Sequence, residues 1–238
     1  MSTTPGSRLR RKIDLVIGPF AGAWERLLAH PHIAQLWPMY LLTDHAIIRA
    51  TVPLTVAAKT RAAVAADPVC EALVDYLAEH VDEEDGHDAM LLEDLEILGV
   101  SPEAVFRRMP SPTVAQLVGA QYYWIEHHHP IAFLGFVAVM EGFPPTPSLI
   151  ASLRARTGLP AAAFRTYEEH GRLDPGHRDH LDETLDSLAL TLEHEEMIGL
   201  SALSTAALLP RTIDEILATW DDGSAAGNPE PASVGTRA

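Results

Sequence analysis

Between Asp67 and Gly99 runs a stretch, DPVCEALVDYLAEHVDEEDGHDAMLLEDLEILG, whose apolar positions recur at helical spacing. At about 100° per residue, one stripe collects Leu73, Leu77, His80, Glu84, His87, Leu91, Leu95 and Leu98. The two ends of that stripe are ordinary core. Its middle holds two imidazoles and a carboxylate where leucines are expected, while Asp82, Asp85 and Glu93 fall on the other side and can face water. Three ionisable groups on a core face are costly unless they are paired or bound to a metal. Asp67 suits an N-cap, Pro68 the first helical position and Gly99 the stop, which predicts one helix across the whole stretch. The rest of the chain must supply partners for its polar middle.

The periodicity elsewhere is also helical, and no segment alternates as a strand would. Aromatic residues make up only 6% of the chain, and leucine and alanine dominate, which suits packed helices. The 238 residues favour one all-α domain, a compact bundle of seven or eight helices spanning residues 13–220. Helices are expected over Ile13–Ala29; Ile33–Ala66, bent near Pro38 and Pro53; the opening stretch; Ser111–Glu141; Pro147–Arg156; Pro160–His170; Pro175–Met197; and Ser201–Trp220. A short one is expected after Ser101. Residues 1–12, basic and polar, read as a disordered arm, and residues 221–238, rich in Gly, Ala, Ser and Pro, as a disordered tail.

A net charge of −16 argues against nucleic acid and against anionic membranes as partners. No run reaches the roughly 18 apolar residues of a membrane span. The lone Cys70 forms no internal disulfide and fits a reducing compartment as an inert buried thiol. Asp14 and Trp24-Glu25-Arg26 spoil the signal-peptide character of the first apolar run, so the expected location is the cytoplasm.

Three groups carry possible chemistry. In the first, His80, Glu84 and His87 occupy positions i, i+4 and i+7 of one helix face. Glu83 lies off the stripe and is the weaker carboxylate. Glu141 is the second, closing ten apolar residues, Ile131–Met140, that read as a fully buried helix. A carboxylate there faces the negative end of the macrodipole and requires a cation nearby, unless the helix frays and leaves Glu141 in water. The third is His170-x-x-x-Asp174-x-x-His177. Pro175 allows Asp174 to be an N-cap instead of, or as well as, a ligand. Leu181, Leu188 and Leu192 continue the face of His177 into the core. Among weaker features, adjacent His127, His128 and His129 point to different sides of a helix and cannot chelate together. His45 reads as a core histidine, His194 as surface and His180 as a support for a ligand.

The combination HVDEEDGH, GFVAVMEG and HGRLDPGH, in this order, resembles the haem-oxygenase-like diiron oxidases, the iron-containing redox enzyme family. The runs YYWIEHHHPIAFLGFVAVMEG and DLEILGV add to the resemblance, which covers roughly residues 35–200. It implies a seven-helix bundle that activates O2 at two iron ions. It also implies the ligands Glu84, His87, Glu141, His170, Asp174 and His177. His80 is an added candidate, and Asp44 or His45 could supply a ligand from an earlier helix. The expected activity is a non-haem diiron oxidase or oxygenase acting on a small organic acid or amino acid. Arg49 would hold the substrate carboxylate and Tyr123 would line the pocket. An external electron donor and a homodimer are left open. The alternatives are a metal-free enzyme of the same fold, thiaminase-like or a cofactorless oxidase, or a protein that binds haem through His45 or stores iron.

Overall fold

A computed structural model describes residues 3–221 and Gly223. Among them every regular element is helical: α1 (Pro5–Val16), α2 (Gly18–Ala29), α3 (Ile33–Ile48), α4 (Thr51–Val64), α5 (Val69–Glu84), α6 (His87–Ile97), α7 (Pro102–Arg107), α8 (Pro112–His127), α9 (Phe133–Met140), α10 (Pro147–Thr157), α11 (Arg165–Ser187) and α12 (Leu192–Asp221), with 3-10 turns at Pro130–Ala132 and Ala161–Phe164. The all-α bundle is as expected. Several of its rods are divided where the sequence pattern alone runs on.

The divisions have local causes. The stretch from Asp67 splits into α5 and α6 because Gly86 adopts φ 87°, a left-handed conformation that interrupts the helix and that glycine takes without strain. The expected second helix stops at Ile48 and restarts at Thr51. Pro53 then falls in the first turn of α4, where its missing N–H breaks no bond. The run to Glu141 breaks after His127, since Pro130 disfavours helical backbone at His129, which is extended. In contrast, α11 continues straight through Pro175, so Asp174 is a mid-helix residue and the N-cap reading is corrected. Residues 5–12 are not an arm but most of α1, capped by Thr4 and buried through Leu9 and Ile13. Of the expected tail, all but Asp221 and Gly223 lies outside the described residues.

The long helix α12 is the spine. It packs against α1, α2, α3, α8 and α9, while α6 lies between α3 and α11 and α5 pairs with α4. At the crossing of α9 and α12 a Cβ on Gly135 would lie 2.1 Å from the Ile198 carbonyl oxygen, so only glycine permits that approach. Two apolar clusters result: one around α4, α5, α8, α9 and α12, the other around α2, α3, α6 and α10. Between them lies a cavity of about 450 Å³, walled by Ile47, Phe136 and Leu209 of the first cluster and Trp24, Tyr40 and Tyr167 of the second. No helix among the described residues is long and apolar enough to cross a membrane.

Candidate metal centre

Helices α5, α6, α9 and α11 bring the polar residues of the sequence motifs to one end of this cavity. Donor atoms of His80, Glu84 and Glu141 lie within 4.8 Å of one another, and so do those of Glu84, His87 and His170. Glu84 belongs to both triads. Its Oε2 is 3.4 Å from His87 Nδ1, and Glu141 Oε1 is 3.5 Å from His80 Nε2. These separations are too long for strong hydrogen bonds. Two donors each about 2.1 Å from a common ion would sit roughly 3.0–3.4 Å apart. His80 Nδ1 and Nε2, His87 Nδ1, Glu141 Oε2, Asp174 Oδ1 and His177 Nδ1 are buried with no hydrogen bond among the described residues. Such atoms are rarely left orphaned, and nitrogen and carboxylate oxygen are the donors that divalent iron takes. The residues present therefore fit a pair of metal ions.

The structure thus brings His80, Glu84, His87, Glu141 and His170 into triads. Asp174 and His177 follow His170 on the same buried face of α11, His177 Nδ1 lying 3.9 Å from Asp174 Oδ1. The break at Gly86 does not separate Glu84 from His87; it lets two helices each present one of them.

The supports are specific. The ring of His170 donates from Nδ1 to the Thr166 carbonyl at 2.8 Å, since a carbonyl can only accept. That leaves Nε2 with its lone pair for a ligand. Glu83 is outside both triads and stands 3.5 Å from His80 Nδ1, with His180 on its other side, so it orients His80. The buried Asp94 of α6 accepts from the Thr166 amide at 2.9 Å and so fixes the start of α11 one turn before His170. The cationic partner of Glu141 is His80, and a separate cation, Arg10 of the N-terminal helix, braces the last turn of α9. Arg10 donates to the Ala138 carbonyl at 2.6 Å and pairs with Asp182 at 2.9 Å.

The electrostatics show a site short of positive charge. Burial pushes the Glu141 carboxyl up to about 8, with the charges of Glu84 and Asp174 adding to it and His80 opposing. Burial and the Glu84 charge raise Asp174 to about 7. Burial works against ionised Glu84 too, but His87, His80 and His170 outweigh it and hold its carboxyl below the ordinary value. His80 is raised in spite of burial, because Glu83, Glu141 and Glu84 surround it. Burial lowers His170 and His177, favouring the neutral ring that binds metal.

Other candidates lie elsewhere. Asp44 lines the large cavity but joins neither triad. His45 and Arg49 line a separate cavity of about 30 Å³ with Val105, Arg108 and Ser111. Tyr123 is largely exposed, against Trp124, His127 and His128. The neighbours that sequence reasoning missed are Tyr40 and Tyr167, which line the cavity one turn from Asp44 and His170. That helical spacing was the available signal.

A second histidine cluster was also missed. His194, expected on the surface, is buried, with Nε2 3.1 Å from Asp67 Oδ2. His129 Nε2 lies 3.9 Å from the same oxygen and 3.5 Å from Cys70 Sγ. The Thr191 and Ile131 amides donate to Nδ1 of His194 and His129, at 3.3 and 3.2 Å. The proton of each neutral ring is therefore on Nε2, the atom that a metal would need bare. This cluster is a hydrogen-bonded tie on Asp67.

A family profile described as iron-containing redox enzyme matches residues 40–208. No curated protein matches the chain. Among solved structures, a domain of unknown function with a haem oxygenase-like fold from Shewanella denitrificans is 17% identical, with a TM-score of 0.80, over 93% of this chain and 95% of that one. A CADD-like protein of unknown function from Nostoc punctiforme is 16% identical (TM-score 0.66; 90% and 97% covered). A TenA homologue from Pseudomonas syringae is 11% identical (TM-score 0.65; 86% and 92% covered). At these identities the structures speak for the fold, which is haem-oxygenase-like. The profile spans well over half of the sequence and takes in every residue of both triads, so the chain belongs to the iron-containing redox enzyme family.

Proposed function

We propose that the centre holds two iron ions and that the protein is a non-haem diiron oxidase or oxygenase, acting with O2 on a small organic molecule in the adjoining cavity. The observation that supports this is the pair of triads sharing Glu84, in which His80 Nδ1 and Nε2, His87 Nδ1 and Glu141 Oε2 are buried with no hydrogen bond among the described residues. His80, Glu84 and Glu141 would hold one ion, and Glu84, His87 and His170 the other. Asp174 and His177 would complete the set, with Glu84 common to both ions. Iron so held would supply electrons and open coordination positions for O2 chemistry. The chain's own contributions are positional. Thr166 and Glu83 fix the rings of His170 and His80. Phe136 and Val137 keep bulk water from the cavity wall. Glu141 and Asp174, with their raised pKa values, release protons as metal enters.

The metal-free reading leaves the same buried atoms unpaired. Haem on His45 has no room, because the cavity beside that ring is about 30 Å³. Arg49 lines that small cavity too, which removes the reason for expecting a substrate carboxylate. Anaerobic reconstitution with Fe(II) tests the proposal. About two irons per chain, no Soret band, and O2 uptake that His87→Ala abolishes are the expected results. A chain that takes up no iron, or His87→Ala and His177→Ala variants with full iron content, would refute it.

A further inference from the structure

The large cavity joins the metal centre at one end to Asp44 in its wall, and its other surfaces are mostly apolar. Its volume of about 450 Å³ lies within the roughly 300–1,000 Å³ of small-molecule sites. Among the described residues that line it, none is lysine or arginine. Its acidic residues are Glu84, Glu141 and Asp174 of the centre, the exposed Glu25, and Asp44. A substrate carboxylate would find no countercharge on the protein side of this cavity.

Asp44 is held in place but only half engaged. The Tyr167 hydroxyl donates to its Oδ2 at 2.8 Å, Oδ1 has no hydrogen bond among the described residues, and the half-buried residue lines the cavity. Tyr40, one helical turn earlier on α3, lines the same wall, and its ring lies 4.8 Å from that of Trp24 and 6.3 Å from that of Tyr167. A carboxylate with one open oxygen, set among electron-rich aromatic faces, matches an ammonium group, which takes a charge-assisted hydrogen bond and cation–π contact. Burial of Asp44, opposed by the Tyr167 hydroxyl, raises its carboxyl to about 6, as expected of an acid lacking a cationic partner.

We propose that Asp44, with Tyr40 and Trp24 beside it, anchors a protonated amine of the substrate, whose apolar remainder lies along the cavity toward the metal centre. The proposal rests on reading that centre as the site of oxidation and adds the chemical class of what it oxidises. The test is calorimetric titration at pH 7 of the full chain, metal-free and loaded with redox-inert Zn(II), with hexylamine, hexanol and hexanoate. These probes share a chain length and differ in the head group. Hexylamine should bind at least tenfold more tightly than the other two. Asp44→Asn should remove that preference while leaving hexanol binding unchanged, and Tyr167→Phe, which keeps the carboxylate, should retain it. An amine preference that survives Asp44→Asn, or hexanoate binding as tightly as hexylamine, overturns the anchor. Metal content measured on the same samples separates the two ideas. A full complement of metal without amine preference sinks the anchor alone. An Asp44-dependent preference in a chain that takes up no metal upholds the anchor and sinks the diiron reading.

Discussion

Two clusters of histidine and carboxylate in this molecule use the same side chains to opposite ends. In the centre, His170 donates from Nδ1 to a carbonyl and keeps Nε2 bare. At Asp67, His129 and His194 accept backbone amides at Nδ1 and turn a protonated Nε2 toward the carboxylate. The centre gathers Glu84, Glu141 and Asp174 with several orphaned donor atoms; the outer cluster has one carboxylate, already bonded at both oxygens. Residue type and proximity alone would class both as metal sites. The direction of a single backbone hydrogen bond separates a ring whose Nε2 is bare from a ring that serves as a strut.

The sharpest way to break that contrast is Glu84→Ala. Removing the carboxylate common to both triads should cut Fe(II) or Mn(II) uptake from about two per chain to below one, while His194→Ala binds the full complement. Equal losses in the two variants, by metal analysis, would make the clusters equivalent.

Next in size is thermal stabilisation by metal. At a metal concentration about 100 times Kd, binding to the native state alone adds about 2.7 kcal/mol, or roughly 5–10 °C in Tm for a chain of this size. Wild type and His194→Ala should show it, and Glu141→Ala should not. The shift should also grow with pH. Glu141 and Asp174 have folded pKa values raised above those of the unfolded chain, to about 8 and about 7. Their contribution to metal-free stability is complete below about pH 4 and is lost as pH rises through 7 and 8. Metal, which needs them deprotonated, gains in the same window. A Tm shift that is flat between pH 6.5 and 8.5 would contradict this assignment.

A smaller effect belongs to Asp67. Asp67→Ala removes the acceptor for the Val69 amide at the start of α5 and the partner of His194, and should cost about 1 kcal/mol with or without metal. The Val69 amide, helped by His194 and His129, holds this carboxyl below its ordinary value. Its stabilisation is therefore present above about pH 4 and lost as pH falls further, the reverse of the centre. Denaturant titrations at pH 3.5 and 7 of wild type and variant would show the difference shrinking in acid. The smallest effect is expected of Arg49→Lys, which should leave metal content and Tm within error, because Arg49 lines the other cavity.

The sequence made the chemistry more legible than the backbone. Spacing on a helix face depends only on neighbours along the chain, and it singled out His80, Glu84, His87 and the His170 motif before any contact was known. Helix breaks depend on finer balances. Gly86 sits within a stretch whose helical spacing runs on from Leu73 to Leu98, and only its left-handed φ divides α5 from α6. Pro175 invites a helix start, yet the packing of α11 on α1 and α6 carries the helix through it. The roles of His129 and His194 were hidden because they follow from where α8 ends and from amides that meet their rings only after folding. Arg49 illustrates the remaining limit: it shares a face with His45, and that face of α3 turned out to be the one away from the large cavity.

Arg10 carries a practical lesson. From hydropathy alone the first twelve residues look like packaging, and an experimenter wanting a tidier chain would start at Ile13. That cut would strip the Ala138 carbonyl and Asp182 of their shared partner and take Gly6 from the Asp186 carboxylate. Poor folding or a loosened α9 in a shortened chain, or in one with a bulky fusion at the front, would then be laid to the bundle itself, when the fault lay in a brace removed from between α9 and α11.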